Sequence, residues 1–177
     1  MAAMSLAEVK QHLRVDDDAE DAFITGLIAA AIDHVERSTG LVLERRTVVE
    51  TITGFGARIR TWPITTVDSV EYVDGSGVDQ AILATDYRLR NAVRPARLAN
   101  IAKPWPPLGR LNGAVTLTMT AGYDDQTEVP AGVWQAIKMI VGHFYDNRAA
   151  VVIANAVPVE VPMAVEMLLA PHRLKSV

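Results

Sequence analysis

Four histidines, His12, His34, His143 and His172, are the side chains best suited to acid–base chemistry or metal binding near neutral pH. No two stand four residues apart, and no HExxH pattern occurs, so a metal site would need ligands from distant segments. The chain has no cysteine, which excludes thiolate metal sites, cysteine nucleophiles and a disulfide framework. Ser5, Ser38, Ser69, Ser76 and Ser176 lie in no GxSxG elbow. Gly75-Ser-Gly77 lacks the strand–turn–helix context of one and reads as a hairpin turn. There is no GxxxxGK[ST] phosphate loop and no GxGxxG fingerprint. Asp16-Asp-Asp18 and Asp124-Asp125 cluster carboxylates at a helix start and in a loop. A calcium loop would need a glycine and a distant bidentate glutamate that the first run lacks. These residues predict no catalytic centre, no cofactor and no metal.

Two further groups can bind without catalysing. Trp62, Trp105 and Trp134 offer stacking surfaces, but Trp134 sits at the edge of a helical stripe. Trp62 and Trp105 each adjoin proline, as loop anchors do. Arg88, Arg90, Arg94 and Arg97 form the one basic concentration. With Tyr87 among them they could touch nucleic acid. The formal charge of -4 argues against gripping phosphate backbones as the main task, and favours a solvated strand face or an acidic protein partner.

The element that organises the chain is the helix read over 130–148. Pro130 suits its first turn. Val133, Ala136, Ile137, Ile140, Val141 and Phe144 form one apolar stripe, and Tyr145, Asp146, Asn147 and Arg148 close it. Its far side holds Lys138, Met139, Gly142 and Tyr145, a face unlike an ordinary solvated one. Upstream, Ser5-Leu-Ala-Glu8 is a capping box opening a short helix over about 5–14. A second helix, over about 18–39, starts in the acidic run, stops at Gly40, and is on the order of 30 Å long. Its stripe is Ile24, Leu27, Ile28, Ala31, Ile32 and Val35. Its other side, with Gly26, Ala29, Ala30, Asp33 and Arg37, is small enough for close approach, either within the chain or by a neighbouring subunit.

Between about 44 and 122 the period changes to that of strands, over 46–53, 67–73, 78–83, 87–90, 97–101 and 114–120. Asp74-Gly-Ser-Gly77 marks a hairpin turn. After Arg148, Ala149 to Pro162 is apolar yet broken by two prolines, and Met163 to Ala170 reads as a short helix. The expected fold is α+β, mainly an α-helical bundle carrying a small inserted antiparallel sheet. Residues 1–148 form a single domain, and 149–177 an interaction arm. No apolar run reaches the roughly 20 residues of a membrane span, and no signal pattern opens the chain.

The order of these pieces resembles the head–tail connector (adaptor) proteins of long-tailed bacteriophages and gene-transfer particles. The pieces are Ser5-Leu-Ala-Glu-Val-Lys-Gln-His-Leu-Arg-Val-Asp16; Val35-Glu-Arg-Ser-Thr-Gly40; Pro63 with Val67 to Asp74; Trp105-Pro106; Ala121-Gly-Tyr123; Val129-Pro130; His143 to Arg148; and Leu168-Leu-Ala-Pro-His-Arg173. The ending is similar to a Leu-Leu-x-Pro-aromatic-Arg pattern, with His172 in the aromatic position. The resemblance implies a structural virion protein, not an enzyme. It implies a homo-oligomeric ring of about a dozen copies, docked on the portal protein, with a stopper or tail-completion protein as the next component. DNA would pass through without sequence-specific binding, no membrane is involved, and assembly occurs in the host cytoplasm. Tyr145, Arg148, Leu168, Leu169, Pro171 and Arg173 are the expected interface residues: Arg148 and Arg173 as ion pairs, Tyr145 and Leu168 as packing contacts. Deleting residues from Pro162 onward is expected to leave a folded chain that no longer joins the portal. The alternatives are a nucleic-acid-binding accessory of DNA packaging that uses Arg88 to Arg97, or a small hydrolase.

Overall fold

The computed structural model describes residues 4–101, 103–109, 115–147 and 163–174. They divide into two compact units, a helical one from the chain up to Thr39 and from Asp125 on, and a sheet unit over Gly40–Asp124.

In the helical unit, α1 (Leu6–Leu13) starts at Ser5, whose Oγ accepts from the Glu8 N–H at 3.2 Å, and ends at Arg14 in the left-handed region, φ 58°. α2 (Asp21–Thr39) follows the acidic run. Asp17 Oδ1 takes the Ala19 N–H at 3.0 Å. Lys10 Nζ reaches Asp18 at 2.6 Å and Asp21 at 2.7 Å. The run thus answers the helix dipole and also fixes the corner between α1 and α2. Its hydrogen bond to Asp18 raises the Lys10 pKa and lowers that of Asp18.

α3 (Ala131–Asp146) packs against α1, α2 and α4 (Met163–Leu169). Val133, Ala136, Ile137, Ile140 and Val141 are all buried, Ile24, Ile28, Ala31 and Val35 supply the buried face of α2, and Val165 and Leu169 that of α4. Burial of each large aliphatic side chain is worth roughly 1.5–3 kcal/mol. The far side of α3 is where α1 lies. A Cβ on Gly142 would stand 3.8 Å from His12 Nε2 and 3.9 Å from Leu13 Cδ2, and Met139 is half-buried. The small-residue side of α2 is exposed, and a Cβ on Gly26 would meet nothing within 4 Å.

The sheet unit holds β1 (Arg46–Ile52), β2 (Ile64–Val73), β3 (Asp79–Ala81), β4 (Tyr87–Arg90), β5 (Arg97–Asn100) and β6 (Val115–Ala121). Four strands form an antiparallel sheet in the order β1-β6-β2-β3, and β4 and β5 pair separately. The central β6 alternates cleanly: Val115, Leu117, Met119 and Ala121 are buried, with the intervening threonines half-buried. Phe55 stacks on Trp105 with centroids 4.6 Å apart and takes Tyr72 edge-on. The sheet's end is closed at Gly122, φ +116°, whose N–H donates to Pro63 O at 2.9 Å. A Cβ there would lie 2.6 Å from Glu44 O, so the turn admits only glycine.

The expectation of a mainly helical bundle with a small insertion is overturned. About 37% of the described residues are helical and about 27% lie in strands. The inserted stretch builds its own core from Ile52, Phe55, Ile59, Ile64, Val70, Leu98, Leu117, Met119 and their neighbours. Long helices carry an obvious periodicity, whereas this core is assembled from short strands and loop residues such as Phe55 and Ile59. Their contribution shows only once the strands pair.

Candidate functional site

The end of the chain carries most of the side chains expected to act. Arg173 embraces Glu166 of α4 with both terminal nitrogens, Nη1 to Oε2 and Nη2 to Oε1, the latter at 2.9 Å. This two-point grip holds the Glu166 carboxyl below the usual carboxylate range, with a smaller contribution from His34. Arg173 therefore has a partner within its own chain. Leu169 is fully buried in the helical unit. Leu168 is half-buried and lies over Gly132 of α3, where a Cβ would come within 3.7 Å of Leu168 Cδ2. Pro171 is exposed, in a 3₁₀ turn over Ala170–His172.

Tyr145, at the end of α3, donates its hydroxyl to Glu20 Oε2 and lies 6.3 Å from the Phe23 ring, ring to ring. Glu20 immediately precedes α2 and Phe23 lies in its first turn, so this tyrosine ties α3 to the start of α2. Arg148 and the apolar arm that follows it lie outside the described residues, 148–162 being among the stretches left out.

Two large apolar residues of the segment that the sequence did not single out are exposed. Met163 and Met167 are 79% and 71% exposed, one helical turn apart, opposite Val165 and Leu169. The signal was available: in a helix whose Val165 and Leu169 point inward, methionines at 163 and 167 fall on the other face.

The basic segment divides. Arg88, Arg90 and Arg97 stand on one exposed face of the β4–β5 pair, and Arg90 lies directly across from Arg97. Arg94 turns inward instead and donates from Nη2 to Arg60 O at 3.3 Å, with burial drawing its pKa down. Tyr87, the aromatic that could have stacked on a base, is 8% exposed, and burial pushes its hydroxyl pKa up.

The four histidines belong to three different helices and a terminal turn. Among the described residues no group of three His, Cys, Asp or Glu side chains is placed to hold a metal ion, and no helix is long and apolar enough to cross a membrane. The cavities include one of about 460 Å³ beside the β4–β5 pair and one of about 260 Å³ lined by Met4, Glu8, Gln126, Thr127, Trp134 and Lys138. In the second, Trp134 is fixed by an N–H bond from Nε1 to Gln126 O, 3.1 Å.

The described residues thus form an α+β protein of a helical unit and a sheet unit, with exposed methionines on α4. Comparison with known proteins shows what the chain is similar to. Residues 3–71 match the family model of the phage gp6-like head-tail connector protein. A chain in the virion of a native gene transfer agent (GTA) particle is 26% identical, covering 99% of this chain and 91% of that one, with a TM-score of 0.75. A chain in the neck of an empty GTA particle computed with C6 symmetry is also 26% identical over the same shares, TM-score 0.74. One in the neck of a native GTA particle computed with C12 symmetry, 24% identical over the same shares with a TM-score of 0.70, speaks to the fold alone. No curated protein matches the chain significantly. The resemblance to head–tail connectors is borne out, and the role these matches support is that of a structural connector in the virion, at the junction of head and tail.

Proposed function

We propose that this chain is a ring subunit that seats on the portal through its C-terminal segment and hands the channel on to a stopper or tail-completion protein. The observation that carries the reading is the end-to-end likeness to chains of GTA particles, which takes in 99% of this sequence and both of its compact units. The cyclic symmetry named for the empty-particle neck supports a closed ring of identical copies. About a dozen copies, assembled in the host cytoplasm before the tail is joined, is the arrangement proposed.

Within that ring, α4 and the following turn form the docking end. Val165, Leu168 and Leu169 hold it to α3, the Glu166–Arg173 pair fixes the turn, and Met163, Met167 and Pro171 face outward. Tyr145 steadies the end of α3, and Arg148 and the arm after it, outside the described residues, are proposed to meet a neighbour. A net charge of -4 per copy favours DNA sliding without adhesion, provided the acids line the bore.

The test is imaging. The full chain mixed with the portal protein of the same particle is expected to give rings stacked on the portal by cryo-electron microscopy. A chain that stays unbound to the portal would defeat the reading, and a strongly positive bore in the resulting map would defeat the sliding argument.

A further inference from the structure

The β4–β5 pair presents an uncompensated charge. Arg88, Arg90 and Arg97 share one face, all exposed. Among the described residues neither Arg88 nor Arg90 has an ion-pair partner, while Arg97 donates from Nη1 to Gly56 O at 2.7 Å. Arg90 and Arg97 are directly opposed across the strands, an arrangement that costs stability in an isolated pair because like charges repel at that distance. An anion brought to this face relieves the repulsion.

The face is also pre-shaped. Asn91 Nδ2 donates to Ile64 O at 2.9 Å, Arg94 pins the loop to Arg60 O, and Ile59 bridges to Ala96. A cavity of about 460 Å³ opens beside the arginines.

Two observations favour a protein carboxylate over a nucleic acid. The aromatic of the segment, Tyr87, is buried and offers no stacking surface, which single-strand binders depend on. Val93 at the loop is 77% exposed, and an apolar residue beside arginines is what a protein interface covers.

The distribution of charge says which protein. The sheet unit holds ten lysines and arginines against eight acids; the helical unit holds seven against thirteen. An uncompensated spot there is Asp16 and Asp17, both exposed and without a cation among the described residues, whereas Asp18 and Asp21 lie in ion-pair range of Lys10.

We propose that the Arg88, Arg90 and Arg97 face docks on the Asp16–Asp17 corner of a second copy of this chain, a head-to-tail contact that sets the register of the ring. The proposal rests on the ring reading above and adds the surface by which copies meet. Heterologous contacts of this kind close into rings. Charges at such a contact fix register and speed encounter more than they add affinity.

Sedimentation of the full chain tests it. Wild type is expected to associate at about 20 mM salt and to weaken at least tenfold by about 500 mM, where screening shortens the reach of surface charge. R88E/R90E is expected to sediment as a monomer at low salt. Adding Asp16→Lys and Asp17→Lys to that variant restores the complementarity and the association. Because Asp17 caps a turn, a second readout guards against misfolding: the chain has no cysteine, so Arg90→Cys and Asp16→Cys chains can be mixed and joined by a short bis-maleimide into heterodimers. Monomeric wild type at low salt and high concentration, or association undiminished in R88E/R90E, overturns the proposal. So does salt-dependent duplex binding that R88E/R90E abolishes, since the face would then belong to nucleic acid. R88E/R90E rings that form on the portal as readily as wild type sink this surface and leave the connector reading standing. Wild type that builds no ring there sinks both.

Discussion

Glu166 and Arg173 show how one residue's role shifts when its neighbours become visible. The sequence marks Arg173 as a cation near the end of the chain and so a candidate for a partner's acid. The seven-residue step back to Glu166 crosses a helix and a 3₁₀ turn, and only the turn's path brings the two together. Both side chains are more than a third exposed, so the pair is worth about 0.5–1 kcal/mol at most. Its pH dependence has a definite sign. Glu166's folded pKa is depressed, so the stabilisation is present above the ordinary glutamate value near about 4.3 and is lost as pH falls through the folded value. Arg173→Ala should therefore lower stability by about that amount at pH 7, with the gap closing in acid, once the pH has fallen through Glu166's lowered folded value. Urea unfolding at neutral and at acid pH measures it. A gap that persists in acid would place the effect of the substitution in packing. The arginines at 88–97 were legible as a basic run, but which of them point outward was not, because a two-residue alternation assigns faces only after β4 and β5 are in register.

At the scale of elements, the helices were largely readable. Ser5, the acids before α2, Gly40 and the stripe of α3 each mark a boundary or a face by local chemistry that needs no tertiary information. The sheet unit was readable as strands but not as a core of its own. The order β1-β6-β2-β3 places the last strand between the first two, a pairing over a sequence separation that no local signal carries. Likewise α4 reads as a short apolar helix on a tail, and its tie to α3 is visible only in three dimensions. That tie changes what truncation tests. Val165 and Leu169 are fully buried, so cutting the chain at Pro162 removes part of the helical core along with any docking surface. Leu169→Ala alone should cost about 2–5 kcal/mol, because it leaves a cavity against α3. Leu168→Ala, half-buried, should cost clearly less. Chemical denaturation of the two variants decides the point. Equal, small losses would show that α4 contributes little to the unit.

For the molecule as a whole, fold and docking must be separated by substitutions that touch one and spare the other. Met163 and Met167 allow this. They are exposed at 79% and 71%, one turn apart, so replacing both with glutamate removes an apolar surface without opening the core. Exposed substitutions of this kind usually change stability by less than about 0.5 kcal/mol. Glu166 stands between them in sequence and is held by Arg173, so added carboxylates on the outer face leave that pair in place or strengthen the field on Arg173. If the C-terminal segment is what meets the portal, burying two new carboxylates against it is costly, since a charge taken out of water without a partner is paid for in full. The double variant is expected to keep the wild-type unfolding midpoint and circular dichroism, and to be recovered on the portal at less than a tenth of the wild-type level in a co-purification assay. Normal recovery would move the docking role off α4 and toward the arm that follows Arg148. A lowered midpoint with normal recovery would mean instead that the methionines serve the fold.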